Sequence, residues 1–143
     1  MKNGSQFGSK TLVVGEREAR RGRLRAEVLE RTESFADRCL AVAEELDRAG
    51  RFRRIVEQLA AAGCSVGANI AEANEAMSTP DFRKCLAIAA KELAETRFWL
   101  GLVARRKWIS ARRLGPLVSE IEELRKILVS MLSRTRARVT VAG

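Results

Sequence analysis

The strongest indication of the fold lies in residues 79–107, which read TPDFRKCLAIAAKELAETRFWLGLVARRK. Apolar or small side chains recur there at every third or fourth position: Phe82, Leu86, Ala89, Leu93, Thr96, Leu100 and Val103. Alternating steps of four and three form a heptad seam, which is typical of a long helix packed against other helices. Thr79 as the capping residue, Pro80 at the first helical position and Asp81 in the first turn predict that this helix begins at residue 80.

The rest of the chain shows the same periodicity in three further segments. We predict helices over about 27–49, 53–76, 80–107 and 116–136. Gly50 is expected to end the first helix. The last helix could begin directly after Ser110 or at Pro116, and we expect Pro116 because proline disfavours helical geometry at the preceding residue. Short loops make consecutive helices antiparallel neighbours, so residues 29–138 are predicted to form an all-α, up-down-up-down four-helix bundle.

The two ends of the chain are predicted to lie outside the bundle. Glycine and serine make up four of the first nine residues, so we expect residues 1–28 to be a flexible basic leader or an arm that reaches a neighbour. The run TLVV at residues 11–14 could form a short strand within it. Residues 139–143 are predicted to be a tail.

The second predicted helix is rich in small residues. Gly63 and Gly67 lie within an alanine-rich stretch, and each glycine costs a helix about 1 kcal/mol relative to alanine. The expected compensation is a close approach by the backbone of a neighbouring helix.

The composition excludes much of enzyme chemistry. The chain contains no histidine, so no Ser-His, Cys-His or His-metal site can form. The glycines at 63 and 67 lie within a helical pattern and do not form a phosphate-binding loop. We therefore predict a protein that is not an enzyme, with no catalytic residues, no metal and no cofactor.

Cysteine usage and hydropathy indicate the compartment. Cys39, Cys64 and Cys85 are odd in number, widely spaced and on the apolar sides of predicted helices, so we expect buried thiols without disulfides. No apolar run approaches the roughly 20 residues that cross a bilayer, and the N-terminus lacks a secretory signal. These features predict a cytoplasmic protein without membrane association.

The net charge of +9 is unevenly distributed. Residues 1–28, 79–110 and 111–143 each carry +4, residues 29–50 carry −3, and residues 51–78 are neutral. A basic excess of this kind is compatible with nucleic acid or with an acidic protein partner.

One basic row lies on the third predicted helix, opposite its seam. Lys84, Lys91, Phe98 and Arg105 recur there every seven residues. Such a row could track phosphates, with Phe98 stacking on a base. Alternatively it is a solvated face whose phenylalanine is covered by a subunit contact, since exposed aromatics more often mark protein interfaces.

A denser basic cluster follows at the end of that helix, where Trp108 adjoins Arg105, Arg106 and Lys107. The cluster could bind phosphates, or the tryptophan could cover the bundle end while the cations are merely solvated. The candidate nucleic-acid-binding residues are Arg83, Lys84, Lys91, Arg97, Arg105, Arg106 and Lys107.

A polar strip on the second helix is a further candidate. Ser65, Asn69 and Glu72 are spaced four and three apart and therefore share one face. They could form a polar site, but the interpretation we favour is a structural or interface strip that fixes helix register.

Apolar residues beyond a single seam predict self-association. Cys85, Ile88 and Leu102 on the third helix, and Val118, Ile127, Val129 and Leu132 on the fourth, exceed the one stripe that a bundle helix needs. The predicted oligomer interface comprises Ile88, Phe98, Trp99, Leu102, Val118, Val129 and Leu132.

The sequence also resembles a known family. The residues that carry the resemblance are SVGANIAEA at 65–73, Ser78, DF at 81–82, LAIA at 86–89, KE at 91–92, ET at 95–96 and WL at 99–100. They are similar to bacterial four-helix-bundle proteins, called intervening-sequence proteins because some are encoded within insertions in large-subunit ribosomal RNA genes. The resemblance covers about residues 30–135 and implies a bundle that assembles into a ring-like homopentamer. A distant relative is the accessory protein of diversity-generating retroelements, which associates with a reverse transcriptase and nucleic acid.

Two hypotheses about function follow. In the first, the chain is a non-enzymatic, oligomeric accessory protein that associates with RNA or DNA. In the second, it is an oligomeric scaffold that binds a protein partner without nucleic acid.

Overall fold

The computed structural model describes residues 22–142, and the side chains of residues 22–136. This part of the chain forms four helices and no strand: α1 (Ala26–Arg48), α2 (Arg53–Asn74), α3 (Thr79–Arg105) and α4 (Ala111–Ala142). Consecutive helices pack against each other. Loops of only four or five residues connect them, so neighbouring helices are antiparallel. The predicted all-α class is confirmed. The strand considered at residues 11–14 lies outside the described residues.

The seam of α3 forms the centre of the core. All seven of its predicted positions are buried, and they pack with residues from the other three helices, including Phe35, Leu59 and Leu124. Thr96 is the polar member of the seam, and its hydroxyl donates to the Glu92 carbonyl at 2.8 Å. This bond satisfies the buried hydroxyl within its own helix.

The start of α3 differs from the prediction by one residue. Ser78, not Thr79, is the capping residue: its backbone is extended, and its hydroxyl accepts a hydrogen bond from the Asp81 amide at 3.2 Å. Thr79 is already helical, which moves Pro80 to the second helical position. Proline fits there as well, because the amides of the first turn have no carbonyl partner within the helix.

The predicted start of α4 at Pro116 was wrong, since the helix begins at Ala111 and contains this proline. Ser110 is the capping residue of this helix. Its hydroxyl accepts a hydrogen bond from the Arg113 amide at 3.2 Å, and its carbonyl accepts one from the Leu114 amide at 3.2 Å. Pro116 removes one hydrogen bond from the second turn. The early start compensates for this loss by burying Leu114 against the core.

The glycines of α2 allow α1 to approach closely, as predicted. A methyl group on Gly63 would lie 2.5 Å from Cβ of Cys39, and one on Gly67 would lie 3.2 Å from the Thr32 carbonyl oxygen. The first distance is too short for two carbon atoms. Glycine at 63 is therefore a condition of the α1–α2 packing, and this contact offsets its cost to the helix.

Two of the three cysteines are buried. Cys39 lies in the α1–α2 contact, where burial raises the pKa of its thiol to about 12. Cys85 is also buried within the single chain, so its predicted place among the surplus apolar residues was wrong. Cys64 is half-buried. All three are free thiols.

The predicted leader boundary at residue 28 was also wrong. The helix α1 begins at Ala26, and Leu24 before it is buried in the core. Its amide donates to the Asn74 side-chain oxygen at 3.0 Å, which fixes the chain against the end of α2. Residues 1–21 lie outside the described residues. None of the described helices is long and apolar enough to span a membrane.

The antiparallel arrangement gives the bundle two ends. The loops at 49–52 and 106–110 lie together at one of them, which we call the basic end. Residues 22–25, the loop at 75–78 and the last turns of α4 lie at the other, which we call the open end. The helices α1 and α4 pack together much less closely than the other neighbours, and ion pairs join Arg31 to Glu120 and Glu45 to Arg113 across them.

Candidate nucleic-acid interface

Two similar turns form the basic end. The helix α1 ends at a turn in which Gly50 has a φ of 70°, and the Arg51 amide donates to the Leu46 carbonyl at 3.0 Å. The helix α3 ends in the same way: Lys107 has a φ of 58°, and the Trp108 amide donates to the Val103 carbonyl at 3.1 Å. Left-handed residues of this kind stop a helix and reverse the chain. The turn at Lys107 explains why α3 ends at Arg105 and not at 107.

These turns bring aromatic and cationic side chains together. The Trp108 ring is tilted against the Phe52 ring, with centroids 6.1 Å apart. The guanidinium carbon of Arg51 lies 5.2 Å from the Trp108 ring centroid, and that of Arg106 lies 5.8 Å from it. Both distances are within cation–π range. Phe52 is 67% exposed, so a flat face remains available beside the cations.

Seven exposed cations lie in the two chain segments that carry these rings. No acidic residue occurs in either segment that supplies them, 49–54 and 105–112. The cations therefore act on the surrounding solvent as one patch of positive potential. They are Arg51, Arg53, Arg54, Arg105, Arg106, Lys107 and Arg112.

Arg113 is different from its neighbours, because Glu45 of α1 holds it. The two terminal guanidinium nitrogens of Arg113 donate to the two carboxylate oxygens of Glu45, at 2.8 and 2.9 Å. This hydrogen-bonded contact lowers the pKa of Glu45 and raises the pKa of Arg113. We therefore leave Arg113 out of the patch.

The structure brings together only three of the seven predicted nucleic-acid residues: Arg105, Arg106 and Lys107. Lys84 and Lys91 are exposed on α3 but lie far from this end, since the 21 residues from 84 to 105 span about 30 Å of helix. The predicted basic row on α3 is nevertheless exposed along its whole length, and whether it tracks phosphates stays a prediction.

Two other predicted cations are engaged with α4. Arg83 is half-buried and donates to the Leu132 carbonyl at 2.7 Å. Arg97 forms an ion pair with Glu122, which also accepts from Arg125. Exposed ion pairs such as the second contribute little stability, but they reduce the positive potential available to a polyanion.

The contribution of Arg51, Arg53 and Arg54, at the end of the first loop and the start of α2, was not predicted. A signal existed, because two antiparallel hairpins place residues 50 and 107 at the same end of a bundle. The net charge of residues 51–78 is zero, so it gave no sign of these cations. The three arginines at the start of this range are balanced by Glu57, Glu72 and Glu75 further along the chain.

The polar strip of α2 forms no convergent site. Asn69 donates to the Ser65 carbonyl at 2.8 Å, a bond within its own helix, and both residues are half-buried. Glu72 is exposed. Whether this strip lies in an interface stays a prediction.

The predicted oligomer interface lies on α3 and α4, and its members differ in exposure. Phe98 is 61% exposed and Val129 is 49% exposed. The half-buried members are Ile88, Trp99, Leu102, Val118 and Leu132. The Trp99 indole donates to Glu95 at 3.2 Å, and its ring meets the edge of Phe98 at a centroid distance of 5.0 Å. A shallow hollow of about 510 Å³ lies beside Phe98, between Ala94 and Leu102.

Comparison with known proteins identifies the family. The profile of the family described as 23S rRNA-intervening sequence protein matches residues 25–130. The chain belongs to this family. The family resemblance drawn from residues 65–100 is thereby confirmed. The match begins at Arg25, directly before α1, and includes every residue of the basic end.

A solved structure agrees with this assignment. It is the crystal structure, at 1.70 Å resolution, of a protein with unknown function from the S23 ribosomal protein family of Bacteroides thetaiotaomicron VPI-5482. It is 33% identical to this intervening-sequence family member, with a TM-score of 0.70, over 73% of this chain and 97% of the other. No protein of curated function matches significantly.

Proposed function

We propose that this family member is a non-enzymatic accessory protein that associates with nucleic acid through its basic end. The observation that carries the proposal is the meeting of two loops that contain cations and aromatic rings but no carboxylate. Cations supply the affinity for phosphates, since each phosphate contact releases bound counterions. The exposed Phe52 ring adds stacking, which favours single strands or unpaired loops over a regular duplex.

The salt dependence of binding tests this proposal. Binding of a single-stranded RNA, a single-stranded DNA and a duplex is measured by fluorescence anisotropy at several salt concentrations. Replacing Arg105, Arg106 and Lys107 with glutamine should flatten the slope of log K against log salt by about 0.7 per lost contact on a single strand. The matched control replaces Lys84, Lys91 and Lys126 with glutamine, which removes the same charge from exposed sites elsewhere. An equal change in both variants, or an unchanged slope, would contradict the proposal.

We further propose that the protein acts as a homo-oligomer, with five subunits as the family resemblance implies. Exposure of Phe98 and Val129 on neighbouring helices supports a contact that uses α3 and α4. Phe98→Glu with Val129→Glu should reduce the mass in solution, measured by sedimentation at high salt, to that of one chain. Met77→Glu is the control, because Met77 is 94% exposed and lies in the loop between α2 and α3. A wild-type protein that sediments as a monomer at micromolar concentration would exclude the assembly.

A protein scaffold that needs no nucleic acid is the second candidate. The observation in its favour is the hollow beside Phe98, which an apolar side chain of another protein would fill. A partner retained equally with and without nuclease, and lost in Phe98→Glu, would support this function over the first.

A further inference from the structure

The surface of the bundle has a groove of about 790 Å³ near the open end. It lies between α1 and α4, and its walls are residues 23–31 and residues 127–135, with Thr79 and Phe82 of α3 between them. Its volume is in the range typical of binding sites. It is at the opposite end of the bundle from the cations and rings of the basic end.

The floor of the groove is apolar and follows two helices. Leu24, in the segment before α1, and Val28, in the first turn of α1, form one side, and Ile127 and Met131, four residues apart on α4, form the other. Residues at this spacing form a ridge along one side of a helix. A trough between such a ridge and a second apolar wall can receive a further helix that inserts its own apolar stripe.

The rim of the groove is cationic. Four arginines and one glutamate line it, and Arg31 is neutralised by its ion pair with Glu120. The remaining cations are Arg23, Arg25 and Arg134, which are exposed and face no acid within ion-pair distance among residues 22–142. Glu27 is the one acid of the lining. A net positive rim above an apolar floor fits an occupant that is apolar on one face and acidic on its flanks.

We propose that the groove binds an acidic amphipathic helix of another protein. Residues 1–21 of this chain match it poorly, because they carry five cations and two acids. The acidic helix α1 of a second copy fits no better, because Leu40 is its one large, clearly exposed apolar side chain in the part of the chain described. A nucleic acid would bring phosphates onto the apolar floor, where desolvation opposes binding. The proposal uses none of the residues of the basic end and does not depend on the function proposed there.

The first experiment measures binding of a designed helix to the full chain by fluorescence anisotropy. The probe is a labelled peptide of about 18 residues, with leucines at helical spacing and glutamates on the flanks. Two controls have the same length: one has the same composition in scrambled order, and the other has lysine in place of glutamate. Affinity at least about tenfold higher for the probe than for either control is expected. Equal affinity for the scrambled peptide would overturn the proposal.

The second experiment locates the site. Arg25→Glu with Arg134→Glu should weaken probe binding at least about tenfold, since both cations lie on the rim. The matched control is Arg53→Glu with Arg54→Glu, which makes the same change of charge at the basic end and should alter probe binding less than about twofold. Both pairs are exposed, so the fold should tolerate them.

Three results of this experiment would overturn the proposal. Probe binding could be unchanged by the rim substitutions. The mass of the protein in solution could fall with them, which would identify a second copy as the occupant. RNA binding could weaken as much as probe binding, which would identify a nucleic acid. Loss of RNA binding in the control pair alone bears on the basic end and leaves the groove proposal intact.

Discussion

At the basic end the cations lie on and beside two turns that carry Phe52, which is exposed, and Trp108, which is half-buried. At the open end they form the rim of a groove with an apolar floor. The sign of the charge is the same in both regions, so charge alone would assign both to one kind of partner. The arrangement of the apolar groups separates them. Flat, exposed rings such as Phe52 suit a base, and a recessed row of aliphatic side chains suits the stripe of a helix.

The two ends also differ in how α1 and α4 are joined. Near the basic end the bidentate contact between Glu45 and Arg113 joins these helices beside the two turns. Nearer the open end Arg31 and Glu120 form the contact, and the groove lies between the two helices on that side. The close α1–α2 packing holds α1 in the position that both regions need.

The largest expected effect comes from disrupting the packing of α1 against α2, because the basic end and the groove both depend on the position of α1. Gly63→Val should lower the free energy of unfolding by about 3 kcal/mol, because its Cβ would overlap the Cys39 side chain. Urea denaturation at one fixed protein concentration measures the change. Gly101→Ala is the control: nothing lies within 4 Å of a methyl group there, so it should stabilise by about 0.5–1 kcal/mol. A loss of stability no greater than that of a substitution at an exposed helix position would show that α1 can move aside.

A smaller effect should be confined to the basic end. Phe52→Ala and Phe52→Leu should each weaken binding of single-stranded RNA by about 1–3 kcal/mol, roughly 5- to 150-fold, because both remove the face on which a base stacks. Phe52→Trp should retain the affinity. Anisotropy titrations with RNA and with the acidic peptide measure both ends on the same variants. Peptide binding should not change, and wild-type RNA affinity in Phe52→Leu would rule out stacking.

The smallest effect should come from the middle of the bundle. Burial and the nearby Glu95 raise the pKa of Glu92, so its charged form is penalised in the folded protein. Its contribution to stability is therefore greatest below its ordinary pKa and falls as the pH rises through the raised value. Glu92→Gln should be more stable at pH 7, by less than about 1 kcal/mol, and this advantage should disappear in acid.

Urea denaturation at neutral and acidic pH checks this prediction. Because the substitution adds one unit of net positive charge far from either end, it also controls for long-range attraction. RNA and peptide affinities should each change less than about twofold. A larger gain in RNA binding would mean that total charge, and not the basic end, governs association.

Local patterns predicted the helices well, and they failed where several weak terms compete. The seam of α3 was predictable because seven positions repeat one signal. The start of α4 was not predicted correctly. The prediction considered only the backbone preference of proline, and it left out the cap at Ser110 and the burial of Leu114. The cations at 105–107 were visible as a run, whereas Arg51 and its neighbours join them only through the fold.

The sequence by itself determined the four helices, the buried stripe on each and the excess of positive charge. These are local properties, since a helix repeats every 3.6 residues and its apolar face can be read from spacing. The tertiary structure decided which cations remain available. Arg83 and Arg97 are engaged because α4 lies beside α3, and Arg51 joins Trp108 because two turns meet. Such contacts depend on which helices are neighbours, and periodicity within one helix carries no information about that.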